Sequence, residues 1–303
     1  MKLAVIVPCY NAAHVLPKTV PAMMSQEGDA RWTFVDDGST DKTADVLRGL
    51  LAGHADRTAV LALGRNRGRA AARNAGIEAS GDADVLVLLD ADAAPEPGFL
   101  AAHRQAYEDG ASAAVARLTY AEADRSEPYG SYLNSALRGP RAYGDASAVP
   151  WRYWVTTACS VRRDAYAAAG GFDQHITYGE DLDLAGRLAR AHPDGLRVAG
   201  RAQVYDHRDL AGTKRVIREF GQRNLPRMIR TNPELAGLAG LTPFTSSASR
   251  HRAFRAALRL AGPLAERSIP LLPARYVSHA VRLALASELS AAFQAGRKDY
   301  DEE

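Results

Sequence analysis

Short apolar runs alternate with longer helical patterns through the first third of the chain. Leu3 to Val7 reads as a buried strand bounded by Pro8. Trp32 to Val35, Val60 to Leu63 and Val85 to Leu89 repeat the signal, the last as five consecutive apolar residues that stop at Asp90. Helical patterns lie between them. One runs from a cap at Asn11 toward Gln26, broken or bent by Pro17 and Pro21. Another covers about Lys42 to Leu51, and an alanine-rich one covers Arg69 to Ala79. This βαβαβαβ order predicts a parallel sheet with helices on both faces. Such sheets bind ligands beyond the carboxyl ends of their strands. Three of the four strands run into polar, acidic or Asn-bearing loops on that edge, so these loops are expected to share one cleft.

The pattern loosens from about Ala111 to Pro150, where Gly, Pro, Tyr and Ser separate short elements. A second layer and mobile loops over the cleft are expected there. An acidic segment, Gly170-Gly171-Phe172-Asp173 through Gly179-Glu180-Asp181-Leu182-Asp183-Leu184, leads into a helix ending near Ala191. Beyond Thr213 the chain reads as helical and basic. Ala253 to Ala261 and Val277 to Phe293 carry apolar residues at helical spacing with arginines between them. The segments divide as 1–110, 111–212 and 213–303, without an internal repeat or a low-complexity linker.

Composition narrows the class without naming a chemistry. The 303 residues suffice for one large α/β domain or a domain with an appendage. With 47% hydrophobic and 24% charged residues the chain reads as soluble and globular. Its net charge of +3 is spread widely rather than focused as in a nucleic-acid binder, although 197–230 is richer in Lys and Arg. A solvated helix face is the preferred reading of that stretch over a surface for sugar nucleotides or lipid head groups. Cys9 and Cys159 lack CxxC partners and read as buried thiols of a reducing compartment. Met1 to Val7 is too short for a signal-peptide core, and no apolar stretch is long enough to span a bilayer. The expected location is cytoplasmic, with peripheral membrane association open because basic amphipathic helices can lie in the interface.

Candidate chemistry concentrates at the strand ends. Asp90 and Asp92 face the same way for as long as strand geometry persists. Together they can hold Mg2+ or Mn2+ while leaving positions for phosphate oxygens and water. Asp36 and Asp37 end the second strand before Gly38-Ser39-Thr40-Asp41. Each can accept a hydrogen bond from a base N–H or ribose hydroxyl, or build the turn and cap, the reading preferred for Asp41.

These segments resemble the family 2 glycosyltransferases of the GT-A fold over about residues 1 to 210. The resemblance rests on Val7-Pro8-Cys9-Tyr10-Asn11, Val35-Asp36-Asp37-Gly38-Ser39-Thr40-Asp41 and Asn66-Arg67-Gly68 with Ala72-Arg73-Asn74-Ala75-Gly76. It continues through Leu89-Asp90-Ala91-Asp92 and the Gly170 to Leu184 segment. It implies a Rossmann-like, mostly parallel sheet flanked by helices, with a C-terminal helical extension. Residues 1–110 would form the nucleotide-sugar half, 111–212 the acceptor half and 213–303 the extension. The implied reaction is metal-dependent, inverting transfer from a nucleotide diphosphate sugar, expected to be a UDP-sugar, to an acceptor hydroxyl.

The resemblance also distributes roles. Pro8, Tyr10 and Asn11 form the first donor loop, with a purely structural role preferred for Pro8, and Asp36 or Asp37 binds base and ribose. Arg65 to Gly68 sit where the family closes over the base, and Arg73 could reach the cleft, each arginine alternatively making a surface ion pair. Within Asp90-Ala91-Asp92, Asp92 ligates Mn2+ or Mg2+ directly, whereas Asp90 contacts ribose or reaches the metal through water. Asp181 is the base, since an acceptor hydroxyl needs a carboxylate to take its proton; as a helix start it also suits capping. Glu180 binds the acceptor or orients the loop, and Asp183 has a lesser claim on the base role. Trp151 and Trp154 line the acceptor site or pack in the core. His207 returns to the metal or diphosphate, or is an ordinary histidine.

Partners implied are the donor and a hydroxyl-bearing acceptor (glycan, lipid-linked or small molecule), without nucleic acid. The C-terminal helices are open to homodimerisation or membrane contact. Two alternatives share the site: an inactive sugar-nucleotide-binding regulator and a sugar-phosphate nucleotidyltransferase. The latter needs a Gly-rich basic loop where this chain has Pro8-Cys9-Tyr10-Asn11. A nicotinamide-dependent dehydrogenase would need GxGxxG after the first strand, which is lacking.

Overall fold

The computed structural model describes residues 1–121, 123, 127–136, 138–272 and 274–301. Two units are distinguished: Met1–Ala121, Gly139–His175 and Glu180–Asp206 in the first, and Glu122–Arg138, Ile176–Gly179 and His207–Glu303 in the second. The expected 111–212 segment is therefore shared between them.

The first unit opens with β1 (Leu3–Cys9), α1 (Leu16–Met24), β2 (Arg31–Asp36), α2 (Thr43–Leu51), β3 (Thr58–Ala62), α3 (Arg69–Ala79) and β4 (Val85–Leu89). β5 (Ala93–Pro95), α4 (Phe99–Glu108) and β6 (Ala113–Tyr120) follow. α5 (Pro128–Leu133) belongs to the second unit, and β7 (Ala158–Arg162), α6 (Arg163–Ala168), α7 (Glu180–Ala191) and β8 (Leu196–Val204) complete the first. Among the described residues eight strands form one sheet in the order β3-β2-β1-β4-β7-β6-β8-β5. β3, β2, β1 and β4 are parallel, as are β6 and β8; β7 runs antiparallel to both its neighbours and β5 antiparallel to β8.

Strand alternation builds the layers. Leu3, Val5, Val7 and Cys9 of β1, with Val85, Val87 and Leu89 of β4, pack into one cluster with α1, α2 and α4. Ala4, Ile6, Leu86 and Leu88 face the other way, toward α3, α6 and α7. A continuous apolar run is what a strand covered on both faces requires. α3 lies close because of Gly76, where a Cβ would come within 2.6 Å of Ile6 and 2.8 Å of Val35. A mid-helix glycine costs roughly 0.5–1 kcal/mol against alanine, and this close packing offsets it.

Three local expectations change. β1 continues through Pro8 to Cys9, beyond Ile6, the last residue in register with β4, so a missing N–H there removes no β4 ladder bond. α1 begins at Leu16 rather than Asn11, with Pro17 in the first turn, where its missing N–H is not needed, and Pro21 inside the helix. The 111–150 stretch is not a second layer at its start. β6 is a strand of the same sheet, and its small buried residues Ala113, Ala114 and Ala116 give little β-propensity signal.

The second unit contains α8 (Leu210–Glu219), a π-helical turn over Phe220–Asn224, α9 (Leu225–Thr231), and the short α10 (Leu235–Leu238) and α11 (Thr242–Thr245). The long helices α12 (Ser249–Ser268) and α13 (Ala274–Asp301) follow. Ile269, Val277, Ala280 and Val281 form its apolar cluster. Lys214 pairs with Glu266 and Arg218 with Glu288, each at 2.7 Å, tying α8 to the long helices.

Candidate active site

The order of the strands marks where a ligand belongs. α1 and α2 carry the chain outward from β1 to β3 on one face, and α3 returns it on the other face to β4, beside β1. That reversal between β1 and β4 is a topological switch point, which opens a crevice at the carboxyl ends of the two strands. Tyr10 and Asn11 stand at one rim and Asp90 to Asp92 at the other.

Polar bonds stitch the loops on the β1 side. Asn11 has left-handed backbone (φ 51), and its Oδ1 accepts from the Thr40 N–H at 2.9 Å. The Asn11 and Ala12 N–H groups donate to Ser39 Oγ and Thr43 Oγ1. Asn11 is thus a bolt between loops rather than a helix cap. Asp36 Oδ1 accepts the turn-forming bond from Ser39 N–H at 2.9 Å. Asp41 Oδ1 takes the Thr43 amide at 2.9 Å, at the start of α2. Both oxygens of buried Asp37 are engaged, by Arg67 N–H at 2.8 Å and Gly68 N–H at 2.9 Å. Burial raises its pKa against those two bonds, so Asp37 acts as a clamp on the loop after β3. Gly38 lies in the left-handed region (φ 72), and a Cβ there would meet the Arg65 carbonyl carbon at 2.3 Å. Tyr10, Arg65 and Gly68 are exposed and Pro8 half-buried.

Asp90 to Asp92 form a turn, not a strand end. The Asp90 N–H donates to Thr157 O, and the Asp90 carbonyl accepts from Ala93 N–H, both at 3.0 Å. Strand alternation therefore does not orient the two carboxylates; the turn does. Ala91 is buried, and its carbonyl accepts from Thr19 Oγ1–H at 2.7 Å. The Asp92 carbonyl accepts from Tyr205 N–H at 2.9 Å. Three separate segments thus pin the backbone of the motif.

Arg73, expected to reach the donor, is instead an internal cross-link. Its side chain is only 1% exposed. Nη2 donates to Asp90 Oδ1 and Nη1 to Glu180 Oε1, each at 2.7 Å, and the guanidinium lies 5.7 Å from the Phe172 ring centre. Burial opposes its charge, but the Asp90 and Glu180 carboxylates outweigh that and raise its pKa. Glu180 is likewise buried, with Arg69 Nε at 3.8 Å as a second cation. Its carboxylate is engaged by arginine rather than held out toward an acceptor.

Asp181 follows in the first turn of α7, partly exposed, with Oδ1 accepting from Leu182 N–H at 2.8 Å. Burial and the adjacent Glu180 charge push its pKa up to about 6, against the Leu182 N–H, Arg73 and Arg69. A carboxylate tuned upward in this way suits a general base near neutral pH. Asp183 is committed elsewhere, to Arg187 at 2.5 Å. Arg187 also donates to the Ala169 and Gly171 carbonyls, fixing α7 to the Gly170-Gly171 turn.

The two tryptophans expected at the acceptor site belong to the core. Trp154 is 1% exposed, stacks on Phe172 and donates from Nε1 to Ser160 O at 3.1 Å. Trp151 is buried and donates to His192 O at 2.8 Å. Neither indole face is open to a sugar. Both cysteines are buried, as read from the sequence. His207 begins the last segment of the second unit.

A groove of about 690 Å³ runs between Arg65, Asn66 and Arg67 on one side and Asp173, Gln174 and His175 on the other. Sequence reasoning assigned the second side no role; the only signal was its adjacency to the Gly170-Gly171-Phe172-Asp173 segment. Among the described residues no group of three or more His, Cys, Asp or Glu is placed to hold a metal ion. The carboxylates expected to hold one are Asp90, whose Oδ1 is bonded to Arg73, and Asp92. Hard oxygen donors of this number fit Mg2+ or Mn2+, which characteristically take one or two carboxylates and complete their shell with water and substrate phosphate.

Comparison with known proteins places this geometry. The model of glycosyl transferase family 2 matches residues 4–168. The chain is 32% identical over 213 residues to the pre-mycofactocin glycosyltransferase of Mycobacterium tuberculosis, covering 68% of this chain and 43% of that protein. It is 29% identical over 241 residues to succinoglycan biosynthesis protein ExoU of Rhizobium meliloti, covering 71% and 65%. The match thus spans less than two thirds of either relative. Among solved structures it is similar to the mannosyltransferase PcManGT of Pyrobaculum calidifontis in complex with GDP-Man and Mn2+, with a TM-score of 0.65, 20% identity, and coverage of 99% of this chain and 88% of that one. The fold is GT-A.

Proposed function

The chain belongs to glycosyl transferase family 2, and from that premise we propose that it moves a glycosyl group from a nucleotide diphosphate sugar to an acceptor hydroxyl with inversion. The supporting observation is the Arg73 bridge. One guanidinium holds Asp90 of the acidic turn and Glu180, the neighbour of Asp181, at 2.7 Å each. That bridge supports reading Asp90 and the Glu180-Asp181 pair as parts of one site.

Asp181 takes the proton of the acceptor hydroxyl as its oxygen bonds to the anomeric carbon. The bond from that carbon to the diphosphate breaks, and the diphosphate leaves with the electron pair. Attack opposite the leaving group inverts configuration. Asp92, with Asp90, would hold Mn2+ or Mg2+, which supplies neutralisation of charge on the departing diphosphate. Asp36, rather than the fully engaged Asp37, is the acid for base or ribose, and Arg65 with Gly68 borders the same end. Tyr10 offers an exposed ring beside it. The metal role expected of His207 rests on the resemblance alone. A UDP-sugar is the first donor to test, and a GDP-sugar the second because the solved neighbour carries GDP-Man. The acceptor class stays glycan, lipid-linked or small molecule.

A thermal-shift screen of sugar nucleotides with and without Mn2+ tests the reading, since a ligand of the native state raises Tm. One donor is expected to stabilise the protein in a metal-dependent way. Asp92→Ala should abolish that shift. Asp181→Asn should keep it while transfer collapses. If no sugar nucleotide stabilises the protein, or Asp181→Asn turns over normally, the assignment fails. Donor binding without transfer to any hydroxyl or to water would instead favour a regulator.

A further inference from the structure

The second unit carries apolar side chains that its own core leaves outside. On α12, Leu258 and Gly262 are buried, while Leu260 and Leu264 are 73% and 65% exposed. Leu271, in the tight turn just after the helix, is 85% exposed. Ala253 and Ala257 are also exposed. The spacing 253, 257, 260, 264 repeats every three or four residues, so these positions share one helix face. That face points away from the unit's interior.

Its charge is one-sided. Arg250, Arg252, Arg259 and Arg267 are exposed along the helix, and its only acidic residue, Glu266, is paired with Lys214 at 2.7 Å. Arg255 turns inward and donates to Pro243 O and Ser246 O. Its pKa is lowered by burial first, then by repulsion from Arg259, Arg252 and Arg297.

These features choose among occupants. A second copy docked symmetrically on this face would set the same arginines against each other, and like charges repel. Protruding leucines need a medium that accepts them without a matched pocket. The partner must therefore be anionic at its surface and apolar just beneath.

We propose that α12 docks this protein peripherally on an anionic phospholipid bilayer. Leu260, Leu264 and Leu271 enter the boundary between headgroups and acyl chains, and Arg250 and Arg267, which flank the leucine face, meet lipid phosphates. A helix with leucines on one face and arginines beside them lies in such an interface. No helix among the described residues is long and apolar enough to cross a membrane.

Co-sedimentation of the full chain with vesicles decides the matter, using phosphatidylcholine alone and phosphatidylcholine mixed with phosphatidylglycerol. Binding is expected on the anionic vesicles only and should weaken as salt rises. Arg250→Gln and Arg267→Gln should each lower partitioning about fivefold, the effect of removing one basic residue from an anionic surface. The Leu260→Asp/Leu264→Asp double variant should lower it more than about tenfold. All four side chains are exposed, so thermal melts serve as the check that the variants fold. No binding to anionic vesicles, equal binding to neutral ones, or undiminished binding by the folded leucine variant overturns the proposal. So does light scattering that shows a dimer which the leucine variant disperses while vesicles bind neither protein.

Discussion

A single side chain, Arg73, carries much of the site's order. Arginine presents donors in a rigid fork, so one residue can hold two carboxylates at fixed separation, which lysine, a point charge on a flexible stem, cannot. Breaking a buried ion pair by removing one partner costs about 3–5 kcal/mol, because the remaining charge is left uncompensated. Arg73→Gln is expected to destabilise by an amount in that range in urea unfolding, and Arg73→Lys by less. A second readout separates a positioning role from a merely structural one. Arg73 lowers the pKa of Asp181, which burial and Glu180 raise to about 6. A base works ionised, so the transfer rate should rise with pH through about 6. Without the guanidinium that rise should move to higher pH. A variant of near-normal stability with an unmoved pH profile would remove Arg73 from this role. The Ala72-Arg73-Asn74 segment marks the arginine but not its direction. Sequence spacing cannot tell an arginine aimed into a cleft from one held 17 and 107 positions away by Asp90 and Glu180.

Elements position these residues through their ends rather than their middles. The loops after β1, β2 and β3 are joined by Asn11, Asp37 and Gly38, each bonded or packed to a partner about thirty residues distant in sequence. Gly38→Ala tests that joint. The added Cβ would overlap backbone of Arg65, and the left-handed conformation is strained for alanine. A loss of about 2 kcal/mol or more in unfolding free energy is expected, together with weaker donor binding in the thermal-shift screen. Normal stability and normal donor response would show that the loops do not depend on one another. Strand existence was legible wherever an apolar run was buried on both faces, as in β1 and β4, because burial writes itself directly into composition. β6 was not, since Ala113, Ala114 and Ala116 fill a crowded layer with small side chains that read equally as helix or loop. Asp90 to Asp92 was located by the strand before it, yet its turn geometry depends on Thr157 and Tyr205, from distant segments. Trp151 and Trp154 failed as sugar platforms for a related reason. An aromatic cluster beside a strand signals surface or core equally until the sheet order is known.

At the scale of the whole molecule, two titratable groups with shifted pKa make stability depend on pH in opposing directions. His103 is fully buried, with Nδ1 2.6 Å from Ser160 Oγ, an atom that accepts from Tyr107 O–H. Burial lowers its pKa from 6.5 to about 3. A depressed folded value means stability present above about 6.5 and lost as pH falls toward about 3. Asp181 has the opposite sign. Its raised value contributes stability below about 3.8 that is lost as pH climbs through about 6. The ionised carboxylate is thus held at a cost to the fold at the pH where the proposed base would work. Asp181→Asn removes that cost, because asparagine has no charge to desolvate beside Glu180. Relative to wild type, the variant should gain roughly 1–3 kcal/mol at about pH 8 and much less at about pH 4. Urea unfolding of both proteins at the two pH values measures the difference. The acid loss governed by His103 should appear equally in both and cancel in the comparison, since the substitution leaves its surroundings unchanged. A difference that does not vary with pH would mean that Asp181 titrates in the folded protein as it does in the unfolded chain. The tuning that suits it to take a proton would then be absent.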